Sequence, residues 1–165
     1  KVMPITFWTM MISTLAISGI FPFSGFWSKD EILMTAFHGN IPLWVIGSIA
    51  SIMTAFYMFR LMYLTFFNDF RGTEEQKHHL HESPALITIP LVILATLAAI
   101  GGAISLPGNS WLNHYLAQLF KKHEAHHLDG QAYMLMAIAT VGALIGIGIA
   151  YSKYLKKKEI PVADS

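Results

Sequence analysis

Four long stretches without a formal charge constrain this sequence more than any other feature. They cover residues 2–28, 32–59, 83–120 and 130–152, and they contain 27, 28, 38 and 23 residues. A helix of about 20 apolar residues is long enough to cross the hydrocarbon core of a bilayer. The sequence therefore predicts an all-α integral membrane protein with about four transmembrane helices.

The composition supports this class and excludes several others. Charged residues make up 13% of the chain and hydrophobic residues 54%, whereas a soluble domain carries roughly 25% charged residues. A net charge of +1 argues against a basic nucleic-acid binder, and the absence of cysteine excludes a disulfide scaffold. We expect a lipid bilayer as the surroundings and no nucleic-acid partner. Because an apolar run begins almost at once, we also expect a part of a longer membrane protein.

The pattern of charges and helix breakers predicts the boundaries and the orientation of the segments. Basic residues concentrate in the loop 68–82 and the tail 153–165. The positive-inside rule places both on the cytoplasmic side of the membrane, which we expect to be a bacterial inner membrane. Small residues around Gly146 and Gly148 predict close helix packing. The predicted segments are a broken transmembrane helix over 1–40, transmembrane helices over 41–67, 83–106 and 131–152, and a loop over 107–130 with an interfacial helix.

The first transmembrane segment is predicted to break near Pro22 and Gly25. Proline removes a backbone donor and clashes with the preceding turn, and glycine is flexible. The sequence from Ser28 to Glu31 fits a capping box, with Ser28 as the N-cap and Glu31 reaching back to its amide. We therefore predict that a second half-helix starts at Lys29.

The depth of Lys29 has two interpretations. If Lys29 lay in a surface loop, the next span would cover 32–67, about 54 Å of helix, too long for a core of roughly 30 Å. If 4–37 forms one broken span that exits at 38–42, Lys29 lies about 13 to 14 Å from that exit. The second interpretation places Lys29 near the membrane midplane.

A lysine at this depth indicates an ion or proton path. It costs at least about 2.5 kcal/mol on insertion scales, and irregular backbone at that depth requires surrounding protein or water. Burial and a helix N-terminus at Ser28 favour the neutral amine, whereas Asp30 favours the ammonium. Such a lysine can load and release a proton, and His38 at the exit turn is a candidate relay to the far side.

Other functions remain open at this stage. The same Lys29 would serve a cation/proton antiporter. The histidines of the two loops suggest a metal transporter, but we predict no metal site because solvated loop histidines explain them. A purely structural subunit would keep Lys29 in a surface loop. Arg60 lies near the end of its span, where its side chain can reach the interface.

Residues 19–33, Gly-Ile-Phe-Pro-Phe-Ser-Gly-Phe-Trp-Ser-Lys-Asp-Glu-Ile-Leu, resemble the broken-helix motif of the antiporter-like subunits of respiratory complex I, NADH:quinone oxidoreductase. Two further stretches are similar to the following helices: Thr-Ala-Phe-Tyr-Met-Phe-Arg at 54–60 and His-Glu-Ser-Pro at 81–84. Together they favour the subunit L family, the counterpart of mitochondrial NADH dehydrogenase subunit 5. Phe21 stands where the family often has a first proline, but Pro22 remains.

The resemblance implies a place in an antiporter-like helix bundle and a role in proton translocation. It implies that Lys29 is the lysine of the distal half-channel and that Asp30 is its acidic neighbour. It also implies other membrane subunits as partners and no redox cofactor in this chain. NADH, FMN, iron–sulfur clusters and quinone would then bind elsewhere in the complex.

Overall fold

The computed structural model describes residues 3–70, 72–102 and 130–157, and this part of the chain is helical without strands. Two helices continue into a π-helical turn: Ile41–Met62 is followed by Tyr63–Phe67, and Gly130–Ala150 is followed by Tyr151–Lys156. The predicted interfacial helix within 107–130 lies outside the described residues. The helices are α1 Pro4–Ile17, α2 Ser24–Gly39, α3 Ile41–Met62, α4 Glu74–His78, α5 Ala85–Ile100 and α6 Gly130–Ala150.

Among the described residues, two helical stretches are long and apolar enough to cross a membrane. They are Ile41–Phe67 and Gly130–Lys156, and each has 27 residues. Two further helices, Pro4–Ile17 and Ala85–Ile100, are apolar but shorter. Large apolar side chains are exposed along all four, such as Leu86 at 86% and Ile46 at 65%. Soluble proteins rarely expose apolar surface this extensively, so this surface suits a lipid environment.

Helices α3 and α6 form an extensive contact, and glycine makes it close. A Cβ atom at Gly146 would lie 2.7 Å from the backbone oxygen of Ile52, and one at Gly142 would lie 2.8 Å from the Ile52 side chain. The glycines therefore let the two backbones approach directly, as small residues do in membrane helices. The prediction of close packing is confirmed at Gly146. It is wrong at Gly148, which faces away and would meet no atom within 4 Å.

Helix α2 contacts α1, α3, α5 and α6, and Asp30 and Leu33 are its buried residues. Helix α1 packs mainly against α5 and also touches α3. The break between α1 and α2 is only partly enclosed by these helices. Ser18 and Gly19 are buried, whereas Phe21 is 61% exposed and Pro22 is exposed as well.

The polar ends of the helices follow familiar capping chemistry. Asn40 is extended and its Oδ1 accepts a hydrogen bond from the Leu43 amide at 3.3 Å, which caps α3. Thr73 and Gln76 form a complete capping box on α4.

The guanidinium carbon of Arg60 lies 5.3 Å from the ring centroid of Tyr154, so this cation is stabilised by an aromatic face.

Candidate functional site

The break after α1 is a Schellman motif built on glycine. Gly19 has φ +74°, a left-handed conformation that L side chains rarely adopt. Its amide donates to the Ala16 carbonyl at 3.0 Å, and the Ile20 amide donates to the Leu15 carbonyl at 3.2 Å. These two bonds satisfy two of the last carbonyls of α1 and turn the chain sharply. The peptide bond before Pro22 is cis, and α2 starts at Ser24.

Lys29 reaches back from α2 to the C-terminal end of α1. Its Nζ donates to the backbone oxygen of Ile17, the last residue of α1, at 3.0 Å. The last carbonyls of a helix lack partners within the helix and carry its partial negative charge. A lysine ammonium is therefore the group expected to bind there. The Lys29 stem also covers Gly19, where a Cβ atom would lie 3.3 Å from Lys29 Cδ.

The predicted capping box at Ser28 and Glu31 is wrong. Phe23 is the N-cap residue of α2, with no side-chain cap, and Ser28 lies inside the helix with its hydroxyl directed to the Ser24 carbonyl at 3.4 Å. Helix α2 starts early because Gly25 lets it touch α1 closely. A Cβ atom at Gly25 would lie 1.9 Å from the Ala16 oxygen, so the tertiary contact decides where the helix begins.

This earlier start changes the electrostatic reasoning about Lys29. The side chain lies in the second turn of α2 and not at its N-terminus, so the positive end of α2 does not disfavour the ammonium as predicted. The negative end of α1 contacts the Lys29 Nζ instead, and it favours the ammonium together with the neighbouring Asp30. Glu31 is exposed on the surface of α2.

In the part of the chain that the structure describes, three buried polar side chains near the break each have an oxygen atom without a hydrogen-bond partner. Asp30 is 9% exposed, Ser18 1% and Thr14 0%, and Asp30 Oδ2, Ser18 Oγ and Thr14 Oγ1 each lack a partner. Ser18 and Thr14 are four residues apart and therefore lie on one face of α1. Buried polar atoms in native proteins are normally hydrogen-bonded to protein or water. Their concentration at the break marks this region as polar within an apolar bundle.

The remaining candidates lie away from this cluster. His38 occupies the last turn of α2 and is exposed, and it lies nine residues after Lys29, or about 13 to 14 Å along the helix axis. Within residues 3–70, 72–102 and 130–157, no group of three or more His, Asp or Glu side chains is arranged to hold a metal ion.

Sequence reasoning missed two contributors to the site. Ile17 supplies the acceptor for Lys29 through its backbone, which leaves no signal in side-chain chemistry. Gly19 does leave a signal, because a glycine directly after an apolar helical run and shortly before a proline is typical of a helix C-terminus. That signal predicts the turn but not the contact with Lys29.

Comparison with known proteins identifies the family. A family model described as NADH:quinone oxidoreductase/Mrp antiporter, transmembrane, matches residues 1–54. NAD(P)H-quinone oxidoreductase chain 5 of a Picosynechococcus strain is 43% identical, over 98% of this chain and 27% of the relative. The chloroplastic subunit 5 of Chara vulgaris is 39% identical, over 93% of this chain and 24% of the relative.

A bacterial relative gives the same result. NADH-quinone oxidoreductase subunit L of Mycobacterium tuberculosis is 37% identical, over 92% of this chain and 24% of the relative. The chain thus spans about a quarter of the length of the curated relatives that it matches. The predicted resemblance is confirmed: the chain belongs to the antiporter-like family of membrane subunits of NADH:quinone oxidoreductase, of the chain 5 or subunit L type.

Proposed function

We propose that this chain forms part of a proton-translocating membrane subunit of NADH:quinone oxidoreductase, in which Lys29 carries the proton. The observation that carries the proposal is the Lys29 Nζ bound to the free carbonyl of Ile17 at the break between two half-helices. Lys29 is half-buried, and a cation held by a helix end in a membrane domain is a typical element of an ion path. The family membership supplies the reaction to which this path would be coupled.

The helix lengths support a midplane position for Lys29. At 1.5 Å per residue, the 14 residues of α1 and the 16 residues of α2 measure about 21 and 24 Å. Lys29 lies ten residues before the end of α2, or about 15 Å, half the thickness of the hydrocarbon core. We propose that α1 and α2 together make one crossing and that α3, α5 and α6 make three more. The basic tail then lies on the cytoplasmic side of a bacterial membrane.

The polar groups at the break supply the chemistry of proton transfer. In the ammonium form Lys29 donates to the Ile17 carbonyl and is stabilised by Asp30. Loss of a proton leaves a neutral amine that can accept one from water or from a neighbouring hydroxyl. Thr14, Ser18 and Asp30 have unpartnered polar atoms in the buried region, and we propose that they contact the water along which the proton moves, with His38 as a candidate exit relay.

The proposed role needs no redox group in this chain. We propose that NADH, FMN, iron–sulfur clusters and quinone bind in other subunits and that this chain contributes proton transfer alone. The other membrane subunits of the complex are then its partners, together with the bilayer.

A second candidate is a cation/proton antiporter of related fold, because the matching family model also includes the Mrp antiporters. The same Lys29 would then exchange protons for a metal cation. Transport in sealed vesicles distinguishes the two: the antiporter predicts proton movement that requires an added cation gradient, whereas the redox pump predicts movement driven by quinone reduction.

The experiment compares Lys29→Met with Lys153→Met in the full-length subunit of the intact complex. Lys153 is an exposed lysine of the π-helical turn after α6 and serves as the matched control. Proton uptake and electron transfer to quinone are followed in the same vesicles. We expect a sharply lower proton-to-electron ratio or coupled turnover in Lys29→Met only. Wild-type values in both variants, with normal assembly, would refute the proposal.

A further inference from the structure

The polar segment before α5 is tied to the N-terminus of α1 through Glu82. One carboxylate oxygen, Oε2, accepts hydrogen bonds from the amides of Ile5 at 2.7 Å and Thr6 at 3.4 Å. The other, Oε1, accepts from the Thr6 hydroxyl at 2.5 Å and from the Ser83 amide at 3.3 Å. The contacts with Ile5 and Thr6 connect positions 76 or 77 residues apart in the sequence, so they are tertiary, whereas the contact with Ser83 is local.

Helix α1 has no cap of its own. Its N-cap residue, Met3, makes no side-chain hydrogen bond, and its first turn contains no acidic residue. The first amides of a helix lack partners within the helix and carry its partial positive charge. The Glu82 carboxylate provides both the acceptors and the negative charge that this end requires. The hydrogen bonds from Thr6, Ile5 and Ser83 accordingly hold the pKa of Glu82 below its ordinary value.

The two ends of α1 therefore carry opposite partners from other parts of the chain. Glu82 binds the N-terminal amides, and Lys29 binds the C-terminal carbonyl of Ile17. Because a helix behaves as a rigid rod over about 21 Å, the position of its N-terminus along the axis sets the position of the Ile17 oxygen. The Schellman turn at Gly19 adds a fixed geometry at that end.

We propose that Glu82 is a positioning residue for Lys29: by anchoring the N-terminus of α1, it fixes the carbonyl to which the Lys29 ammonium binds. This inference rests on the proposed function of Lys29. It links the polar segment 72–84, outside the apolar helices, to the proton site. A displacement of that segment would move α1 and thereby the acceptor of the lysine.

The test uses the intact complex with Glu82→Ala, Glu82→Gln and Glu75→Ala in the full-length subunit. Glu75 is an exposed acid of α4 in the same polar segment and is the control for loss of a carboxylate. The measured quantity is the proton-to-electron ratio per assembled complex. We expect Glu82→Ala to lower the ratio about two-fold or more, as loss of a helix cap does to an equilibrium. Glu82→Gln retains one acceptor and should fall less, and Glu75→Ala should match wild type.

A double variant separates positioning from a general structural effect. In a Lys29→Met background, Glu82→Ala should produce no further loss, because the two residues act on one site. An additional loss of the same factor would overturn the inference, as would a wild-type ratio in Glu82→Ala. If Glu82→Ala does not assemble, Thr6→Val removes the hydroxyl contact alone and faces the same two criteria. A wild-type ratio in Lys29→Met refutes the proposed function itself, whereas a loss in Lys29→Met with none in Glu82→Ala refutes only the role of Glu82.

Discussion

The contact between the two half-helices at Gly25 allows a quantitative prediction from a single added methyl group. In Gly25→Ala, the new Cβ atom would lie 1.9 Å from the Ala16 oxygen and 2.9 Å from its carbonyl carbon. Both atoms belong to the backbone, so no side chain can turn away, and α1 and α2 must separate by about 1.5 Å to restore ordinary contact. Overpacking of this kind typically costs 1–3 kcal/mol, and we expect about 3 kcal/mol here.

The same helix supplies the matched control. A Cβ atom at Gly39 would meet nothing within 4 Å, and alanine is favoured over glycine in a helix by about 0.5–1 kcal/mol. We therefore expect Gly39→Ala to be neutral or slightly stabilising. The assay is the fraction of the subunit that stays in the detergent-solubilised complex as temperature rises. Identical curves for the two variants would show that the close approach at Gly25 is not as described.

Three further predictions concern the helix contacts and their polar ends. Gly146→Leu should weaken the pairing of α3 and α6 and reduce assembly of the complex, whereas Gly148→Leu, on the open face of α6, should leave assembly unchanged. Native gels measure the amount of assembled complex for both variants. Asn40→Ala should lower the stability of the subunit by about 1 kcal/mol through loss of a helix cap, and equal thermal inactivation of variant and wild type would contradict this. The hydrogen bonds of Glu82 lower its pKa in the folded protein. Its contribution to stability is therefore fully present at a pH above the ordinary pKa of a glutamate, and it is lost as the pH falls through the lowered pKa of the folded protein. The difference in thermal stability between wild type and Glu82→Gln should accordingly shrink in acid, and a difference that grows in acid would show the opposite sign.

The break in the first apolar helix could be predicted because its causes are local. Pro22 and Gly25 are visible in the sequence, and the structure has α1 and α2 on either side of residues 18–23. The start of α2 could not be placed, because the local capping signal at Ser28 competes with a tertiary contact at Gly25. A close approach of two helices is a property of both, and the sequence of one does not contain it.

Contacts between separate parts of the chain also explain the other differences between the sequence predictions and the structure. Gly146 and Gly148 have equivalent local chemistry, and only the position of α3 decides which of them faces a neighbour. The proposed depth of Lys29 rests on distances along the chain. Its hydrogen-bond acceptor, the Ile17 carbonyl oxygen, is a backbone atom and leaves no pattern in the sequence. The contact of Glu82 with α1 joins segments that are far apart in sequence, so the sequence of either segment alone does not predict it.

The location of Lys29 inside the membrane domain is the central claim, and thiol accessibility tests it most directly. These 165 residues contain no cysteine, so Lys29→Cys and Glu75→Cys each introduce one thiol into this part of the subunit, and the complex without either substitution gives the background labelling. A bulky, membrane-impermeant maleimide is added to each side of sealed vesicles that contain the assembled complex. We predict labelling of Glu75→Cys from one side and no labelling of Lys29→Cys from either. Labelling of Lys29→Cys as fast as Glu75→Cys would place position 29 in a surface loop and contradict the account.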